Sequence, residues 1–442
     1  MKPFKQNKIV SHLALTALAL VASCPAMANS EIEELRKELA AQKELIQQLI
    51  AAQKSAPAYT PPPVSVEPPI PAAEKVLTFY GIADVGVQNT NSGQGSKWSI
   101  GTGGWLASRF GLSVNKPITP DIKAVAVAEA GVQYGTGAAG AASVTPGINN
   151  GYASSAASTA AGTQLFGRQI YAGISSKTFG AVTAGRQYAG TFALNGMTNA
   201  LAFNGYGYSG SIMGANGMPT RVNNSVVYTS PSLNGFSGQL MYSTGSNNNT
   251  NGDVPIAAGS TIKSNDKAGR GVDLEAHYVN GPVLVGASTW NFYSTTFTGA
   301  ETGLSKRSGF QVGSAYDFGP IKVFANYMDG RIKGGGYENV TKAFSKTGAY
   351  SLSAMVPLGK HRFFASMTDF NDKSANNMDA KLYGIGYTYQ AEETTKYYIA
   401  AGHMNNSANA SFSLPDGGSL VGNVLTPGRG VTGLMAGVTL GF

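Results

Sequence analysis

Residues 433–442 read GLMAGVTLGF. Leu434, Ala436, Val438, Leu440 and Phe442 occupy one phase of a period-two pattern, and Gly433, Met435, Gly437, Thr439 and Gly441 occupy the other. Strict alternation of this kind belongs to a strand with two unlike faces. A free terminus normally frays in water. A last strand that is apolar on one face down to its final aromatic is therefore expected to lie out of water, with both edges paired.

The composition points the same way. Only 13% of the 442 residues are charged and 57 are Gly, respectively about half and about twice the usual shares. Hydrophobic content is ordinary at 43%. Beyond the first thirty residues no run is apolar for long enough to make a membrane helix. Low charge, abundant Gly and no apolar twenty-residue run suit a transmembrane β-barrel, where lipid-facing and lumen-facing side chains alternate and hydropathy averages out.

Working back to the start, residues 1–28 read as a secretory signal. Lys2, Lys5 and Lys8 precede the apolar run LALTALALVA, and AMA before Asn29 is a cleavage site. A second reading, acylation of Cys24 in VASC, stays open beside it. With cleavage after Ala28, the one cysteine of the chain leaves with the leader, so neither a disulfide nor a thiolate metal site is expected.

Residues 29–54 predict a helix. Ser30 and Glu33 form a capping box. Ile32, Leu35, Leu39, Gln42, Ile46 and Leu49 follow heptad spacing, with Glu34, Lys37, Glu38 and Lys43 off the seam. This reads as a short α-helical coiled coil, or as a single amphipathic helix lying on its own barrel or on the membrane. Residues 55–75 are Pro-rich, an extended and semi-rigid spacer.

From Val76 the period-two pattern runs to the end. Strands are expected to begin near residues 76, 104, 120, 163, 179, 222, 235, 270, 282, 306, 320, 344, 360, 379, 394 and 429, sixteen in all. Short connections (NKPITPD, KTFG, PSLNG, NGP, DFGP, PLGK and QAEET) alternate with long Gly-, Asn- and Ser-rich ones. Short turns on one rim and long loops on the other are the asymmetry of outer-membrane barrels. Tyr80, Tyr171, Tyr228, Tyr278, Tyr327, Tyr387 and Phe442 are candidates for aromatic girdles. The fold expected for 76–442 is thus an all-β, 16-stranded antiparallel transmembrane barrel.

The stretches FYGIADVGV (79–87), SRFGLSV (108–114), GRQIYAGISSKTFGAVTAGRQY (167–188) and RVNNSVVYTSPSLNGFSGQLMY (221–242), together with the terminal Phe442, resemble the general-diffusion porins of Gram-negative bacteria, β-proteobacterial type. The resemblance covers about 76–442 and does not extend to the helix and the Pro-rich spacer. It implies location in outer-membrane lipid, a homotrimer, and a third loop folded into the lumen as a constriction. It also implies recognition of the terminal aromatic by the barrel-insertion machinery.

The third loop would be 190–221, GTFALNGMTNALAFNGYGYSGSIMGANGMPTR. It holds no Asp and no Glu, whereas the porins it resembles set acids there against wall arginines. Arg109 alternates with Ala107, Gly111 and Ser113, opposite Phe110, Leu112 and Val114, and is expected to face the lumen. Arg221 shares phase with Asn223 and Ser225, opposite Val222, Val226 and Tyr228, and is expected to do the same. Arg186 matches a third family arginine but shares phase with Val182 and Ala184. Arg168 shares phase with Ile170, Ala172 and Ile174. Glu129 and Asp84 are the acids expected on the lumen face. Phe203, Tyr206 and Tyr208 of the loop could form an aromatic slide for a particular solute. Over 76–442 basic residues outnumber acidic ones, and a positive lumen between low-dielectric walls concentrates anions.

Chemistry beyond a pore finds little support. Asp273, Glu275 and His277 alternate as a polar stripe, with no motif to supply a nucleophile. His361 and His403 stand apart, and no HExxH, GxSxG or phosphate-cradling loop occurs. No catalytic residue, cofactor, metal or nucleic-acid partner is expected. The expected role is a passive outer-membrane channel for small hydrophilic solutes and ions, with an anion preference. The alternatives are a structural tether whose helix reaches the cell wall, and a substrate-specific channel.

Overall fold

A computed structural model describes residues 33, 36–44 and 47–48 and, from residue 76 on, all but 103, 136, 138–164, 202–204, 246–253, 258–259, 263–266, 268, 299–300, 335–344, 417–418 and 421–425. The signal, the Pro-rich spacer and Phe203 lie outside the described residues. The chain divides into two units, 1–74 and 75–442. In the first, residues 36–44 are helical and solvent-exposed, and Leu39 of the heptad pattern is 60% exposed.

In the second unit every connection between neighbours in the wall is antiparallel and the sheet closes on itself. The strands are β1 (Leu77–Asn91), β2 in two pieces (Ser96–Thr102 and Arg109–Pro117), β3 (Ile122–Gly131), β4 (Gln169–Ser176), β5 (Gly180–Tyr188), β6 (Arg221–Thr229), β7 (Phe236–Thr244) and β8 (Arg270–Asn280). They continue as β9 (Val283–Thr298), β10 (Glu301–Asp317), β11 (Lys322–Gly334), β12 (Lys346–Leu358), β13 (His361–Asp372), β14 (Ala380–Gln390), β15 (Thr395–Asn406) and β16 (Val431–Gly441). Both pieces of β2 pair with β1, so the barrel has sixteen strands. β1 meets β16 from Ile82↔Gly441 to Asn91↔Thr432, which leaves no open edge.

The closing strand shows why the alternation matters. Leu434 and Leu440 are 53% and 43% exposed, while Val431, Met435 and Thr439 on the other phase are buried. An apolar face left exposed along the whole strand is what a lipid surround requires. Around the rim that holds the barrel's two ends, Phe79, Phe179, Phe236, Phe318 and Phe442 stand exposed. Phe442 packs on Phe79 at 5.6 Å between ring centres. Tyr228 is exposed beside Phe179, to whose carbonyl its hydroxyl donates, and Tyr327 is exposed in the middle of β11. Tyr80 and Tyr171 are not girdle residues: they sit on the face opposite exposed Phe79 and Ile170, and the Tyr80 hydroxyl donates to Glu129. On the same rim Asp121 accepts from Ser176 Oγ and from the Thr178 amide and hydroxyl. These donors, Ser176 first, hold its carboxyl below the usual range.

The second strand departs from expectation. It starts at Ser96 rather than near 104, after a tight turn at 92–95, and breaks between Thr102 and Arg109. The inserted residues enter the barrel. Trp105 is 2% exposed, packed on Phe364 and Tyr398. Alternation cannot reveal this, because an insertion that returns to the same partner strand leaves the pattern intact on either side.

The third loop also lies inside. Its helix α1 (Gly190–Met197) and short turn α2 (Gly210–Met213) are largely buried, and the loop follows the inner wall from β8 round to β16. Two close approaches seat it. A side-chain carbon on Gly384 of β14 would fall 2.2 Å from the Gly207 backbone, and one on Gly402 of β15 would fall 2.6 Å from Tyr206 Cβ. Both strands need glycine there for the loop to lie flat. We predict that Gly384→Val destabilises the folded barrel by about 1–3 kcal/mol, the usual cost of overpacking. Loss of the heat-resistant folded band on a semi-denaturing gel at lower temperature would check it.

Candidate functional site

Inside the barrel the third loop meets β5 through Phe192, which stacks on Tyr188 beside charged side chains of β2, β3 and β6. Glu129 on β3 is the centre of the charge arrangement there. Its carboxylate lies 2.7 Å from Arg168 Nε and 3.5 Å from Arg109 Nε, and accepts from the Tyr80 hydroxyl at 3.1 Å. Arg168 Nη2 also donates to the Tyr188 hydroxyl at 2.8 Å, as does Arg221 Nη2 at 2.6 Å. The Arg221 guanidinium carbon lies 4.5 Å from the centre of the Tyr188 ring. Arg186 donates to the Gly167 carbonyl at 2.8 Å and to Asn223 Oδ1 at 2.5 Å. Four arginines thus gather on one side of the lumen, two of them on the Glu129 carboxylate and two on neutral groups.

Arg109, Arg221 and Glu129 stand where the alternation places them. Arg186 and Arg168 required corrections to the sequence phase. For Arg186 the cause is a β-bulge: the β5–β6 register shifts between Gly185 and Gln187, with φ of 141° at Gly185 and 48° at Asn224. A bulge breaks the period-two rule locally. Val182 and Ala184 before it are exposed on the outer face, while Tyr188 beyond it meets the lumen arginines. Arg168 precedes β4, so the phase of Ile170, Ala172 and Ile174 does not extend to it; it is 8% exposed against Glu129. The signal that could have located the bulge is a Gly before Arg186 facing an Asn pair, Asn223 and Asn224.

Asp84 has a different part from the one expected. It is fully buried and accepts from the Leu106 amide at 2.8 Å, the Tyr398 hydroxyl at 2.8 Å and the Thr439 hydroxyl at 2.7 Å. It therefore fastens the inserted segment of β2 to the wall and presents no charge to the lumen. Tyr206 and Tyr208 are not a slide either. Tyr206 is 0% exposed, its hydroxyl donating to Gln88 at 2.8 Å, and Tyr208 is 9% exposed. Their rings fill the space between loop and wall.

The loop offers the arginines no acid. The acids that touch it come from the wall behind it. Asp273 on β8 accepts from the Thr191 amide at 3.1 Å and from the Thr191 hydroxyl, capping the N-terminal end of α1, where unpaired amides favour a carboxylate. Glu275 is 2.7 Å from His277 Nδ1. Asp273 and Glu275 are both buried. The side that α1 turns toward the arginines carries Phe192, stacked on Tyr188 with ring centres 5.2 Å apart and planes 5° apart. Among the described residues no group of three or more His, Cys, Asp or Glu is placed to hold a metal ion.

Residues 14–409 match the model of the Gram-negative porin family. An outer membrane porin protein of Bordetella pertussis is 25% identical over 374 residues, covering 76% of this chain and 90% of its own. Outer membrane porin protein 32 of Delftia acidovorans is 24% identical over 378 residues, covering 84% and 95%. In fold, the chain is similar to an anion-selective porin from Comamonas acidovorans, with a TM-score of 0.65 and 21% identity over 83% of this chain and 99% of that one. It is also similar to a trimer form of OmpT from Vibrio cholerae, with a TM-score of 0.57 and 14% identity over 83% and 99%.

Two substitutions separate the roles of the two acids. Glu129→Gln removes the lone carboxylate of the arginine cluster and is expected to strengthen any anion preference, read as a larger anion-directed reversal potential. Asp84→Asn trades an acceptor for a donor facing three donors, and is expected to cost about 1–3 kcal/mol of stability, read as lower thermal resistance.

Proposed function

The chain belongs to the Gram-negative porin family and lies in the outer membrane; from that premise we propose that it forms a water-filled passive channel for small hydrophilic solutes and ions, that the channel prefers anions, and that it works as a homotrimer. The observation that carries the anion preference is the imbalance in the arginine cluster. Of Arg109, Arg168, Arg186 and Arg221, two meet a carboxylate, Glu129, two meet neutral groups, and the loop brings no acid. A fixed positive surface in a low-dielectric channel raises the local concentration of anions and their flux. Similarity to a structure described as an anion-selective porin, and to one described as a trimer, supports the same reading. No part of this work needs catalysis: solutes move down their own gradients, selected by size and charge.

The N-terminal segment carries a second reading. Residues 36–44 are helical, and Leu39, one apolar position of the heptad pattern, is 60% exposed. In a trimer, three copies would be available to one another. On this reading residues 29–54 form a short coiled coil and 55–75 an extended spacer, together reaching tens of ångströms toward the cell wall.

Reversal potentials in a salt gradient test the first reading. Wild-type channels should give triplet conductance steps and an anion-directed potential. Arg109→Ala and Arg221→Ala should each lower the anion-to-cation permeability ratio by about twofold, since removing one fixed charge weakens the field that concentrates anions; a cation-directed wild-type potential would sink the reading. Deleting 30–75 tests the second: trimer stability and envelope attachment unchanged by the deletion would exclude a stalk.

A further inference from the structure

We propose that Tyr188 is the positioning residue of the arginine cluster, and that through it the inward loop sets the charge geometry of the pore. The inference rests on the pore reading and deepens it. A phenol oxygen has two lone pairs. Here both face guanidinium donors from separate places in the chain: Arg168, just before β4, at 2.8 Å, and Arg221, at the start of β6, at 2.6 Å. Two like charges held close repel, and an acceptor that takes a hydrogen bond from both offsets that repulsion. Glu129 meets Arg168 and Arg109, whereas Arg221 meets Tyr188, by hydroxyl and by ring. Tyr188 is thus the link between Arg221 and the Glu129 group.

The same side chain has a second partner. Its ring stacks on Phe192 of α1 with the planes 5° apart. Phe192 lies next to Thr191, which is fastened to Asp273 on the far wall of the loop's seat. The chain of contacts runs Asp273, Thr191, Phe192, Tyr188, then Arg168 and Arg221. A loop with no acids of its own therefore still acts on the arginines, by orienting the tyrosine between them. Tyr188 also stands at the exit of the bulge at Gly185, immediately before the loop begins. That bulge is what turns it into the lumen.

Planar-bilayer recording of Tyr188→Phe tests this, because phenylalanine keeps the ring and its stack and loses only the acceptor. The anion-to-cation permeability ratio should fall by about twofold, as Arg221 is freed from the cluster that concentrates anions, with the folded trimer band and the single-channel conductance little changed. In an Arg168→Gln, Arg221→Gln background the same substitution should change nothing further. Phe192→Leu, which leaves the hydroxyl, should lower the ratio less than Tyr188→Phe does. Should Tyr188→Phe not fold, Arg221→Lys replaces it, because a lysine keeps the charge but not the fork that holds ring and hydroxyl together; its ratio should fall as well. An unchanged ratio, or an equal fall in the Arg168→Gln, Arg221→Gln background, overturns the proposal while leaving the pore reading intact. A wild-type channel with no anion preference overturns both.

Discussion

A chain that crosses lipid in extended form must pair every backbone amide and carbonyl within itself, since hydrocarbon offers no partner. The pairing of β1 with β16, from Ile82↔Gly441 to Asn91↔Thr432, meets that demand, and the rest of the molecule depends on it. Without closure the first and last strands would each present a row of unpaired groups. Closure also gives the sheet an inside, and with it a meaning to the alternation: one phase of every strand faces lipid and the other faces the lumen. Phe442 finishes the seam. Its amide donates to the Gly81 carbonyl, and its own carbonyl accepts from the Gly81 amide. The ring packs on Phe79 in the exposed aromatic belt of that rim.

Sixteen strands enclose more space than side chains can fill. The protein fills part of it with backbone. The third loop and the insertion at Trp105 lie against the inner wall from opposite sides of the seam, and meet where Trp105 approaches Gly205. The wall receives them through glycines, as at Gly384 and Gly402, and through polar anchors: Asp273 to Thr191, Ser353 to the Ala200 amide, and Ser366 to the Gly207 carbonyl. Asp84 does the same for the insertion. Buried carboxylates here hold backbone in place, and their charge is spent on amides and hydroxyls rather than on permeating ions.

Much of this was legible in the sequence. The strand count and most strand starts followed from period two and from turn chemistry, because a half-lipid, half-water wall forces the alternation on nearly every strand. The lumen phase of Arg109, Glu129 and Arg221 followed for the same reason. What stayed hidden were the places where the alternation is interrupted. The bulge at Gly185 turns Tyr188 inward, the insertion inside β2 buries Trp105, and Arg168 lies before its strand begins. Asp84 shows a different limit: phase places a side chain on the lumen side, but not above or beneath the backbone that lines the lumen.

These interruptions are where the site is built. A regular strand offers lumen positions only in a single row, two residues apart. Gathering Arg109, Arg168 and Arg221 around Glu129 and Tyr188 takes contributions from four separate strands and from a residue just outside a strand. The loop's lack of acids then has a structural counterpart. Its contact with the cluster is aromatic, Phe192 on Tyr188, and its electrostatic debts are settled on the opposite side by Asp273. The arginines are therefore held by Glu129 and Tyr188 of the wall and not by acids of the loop.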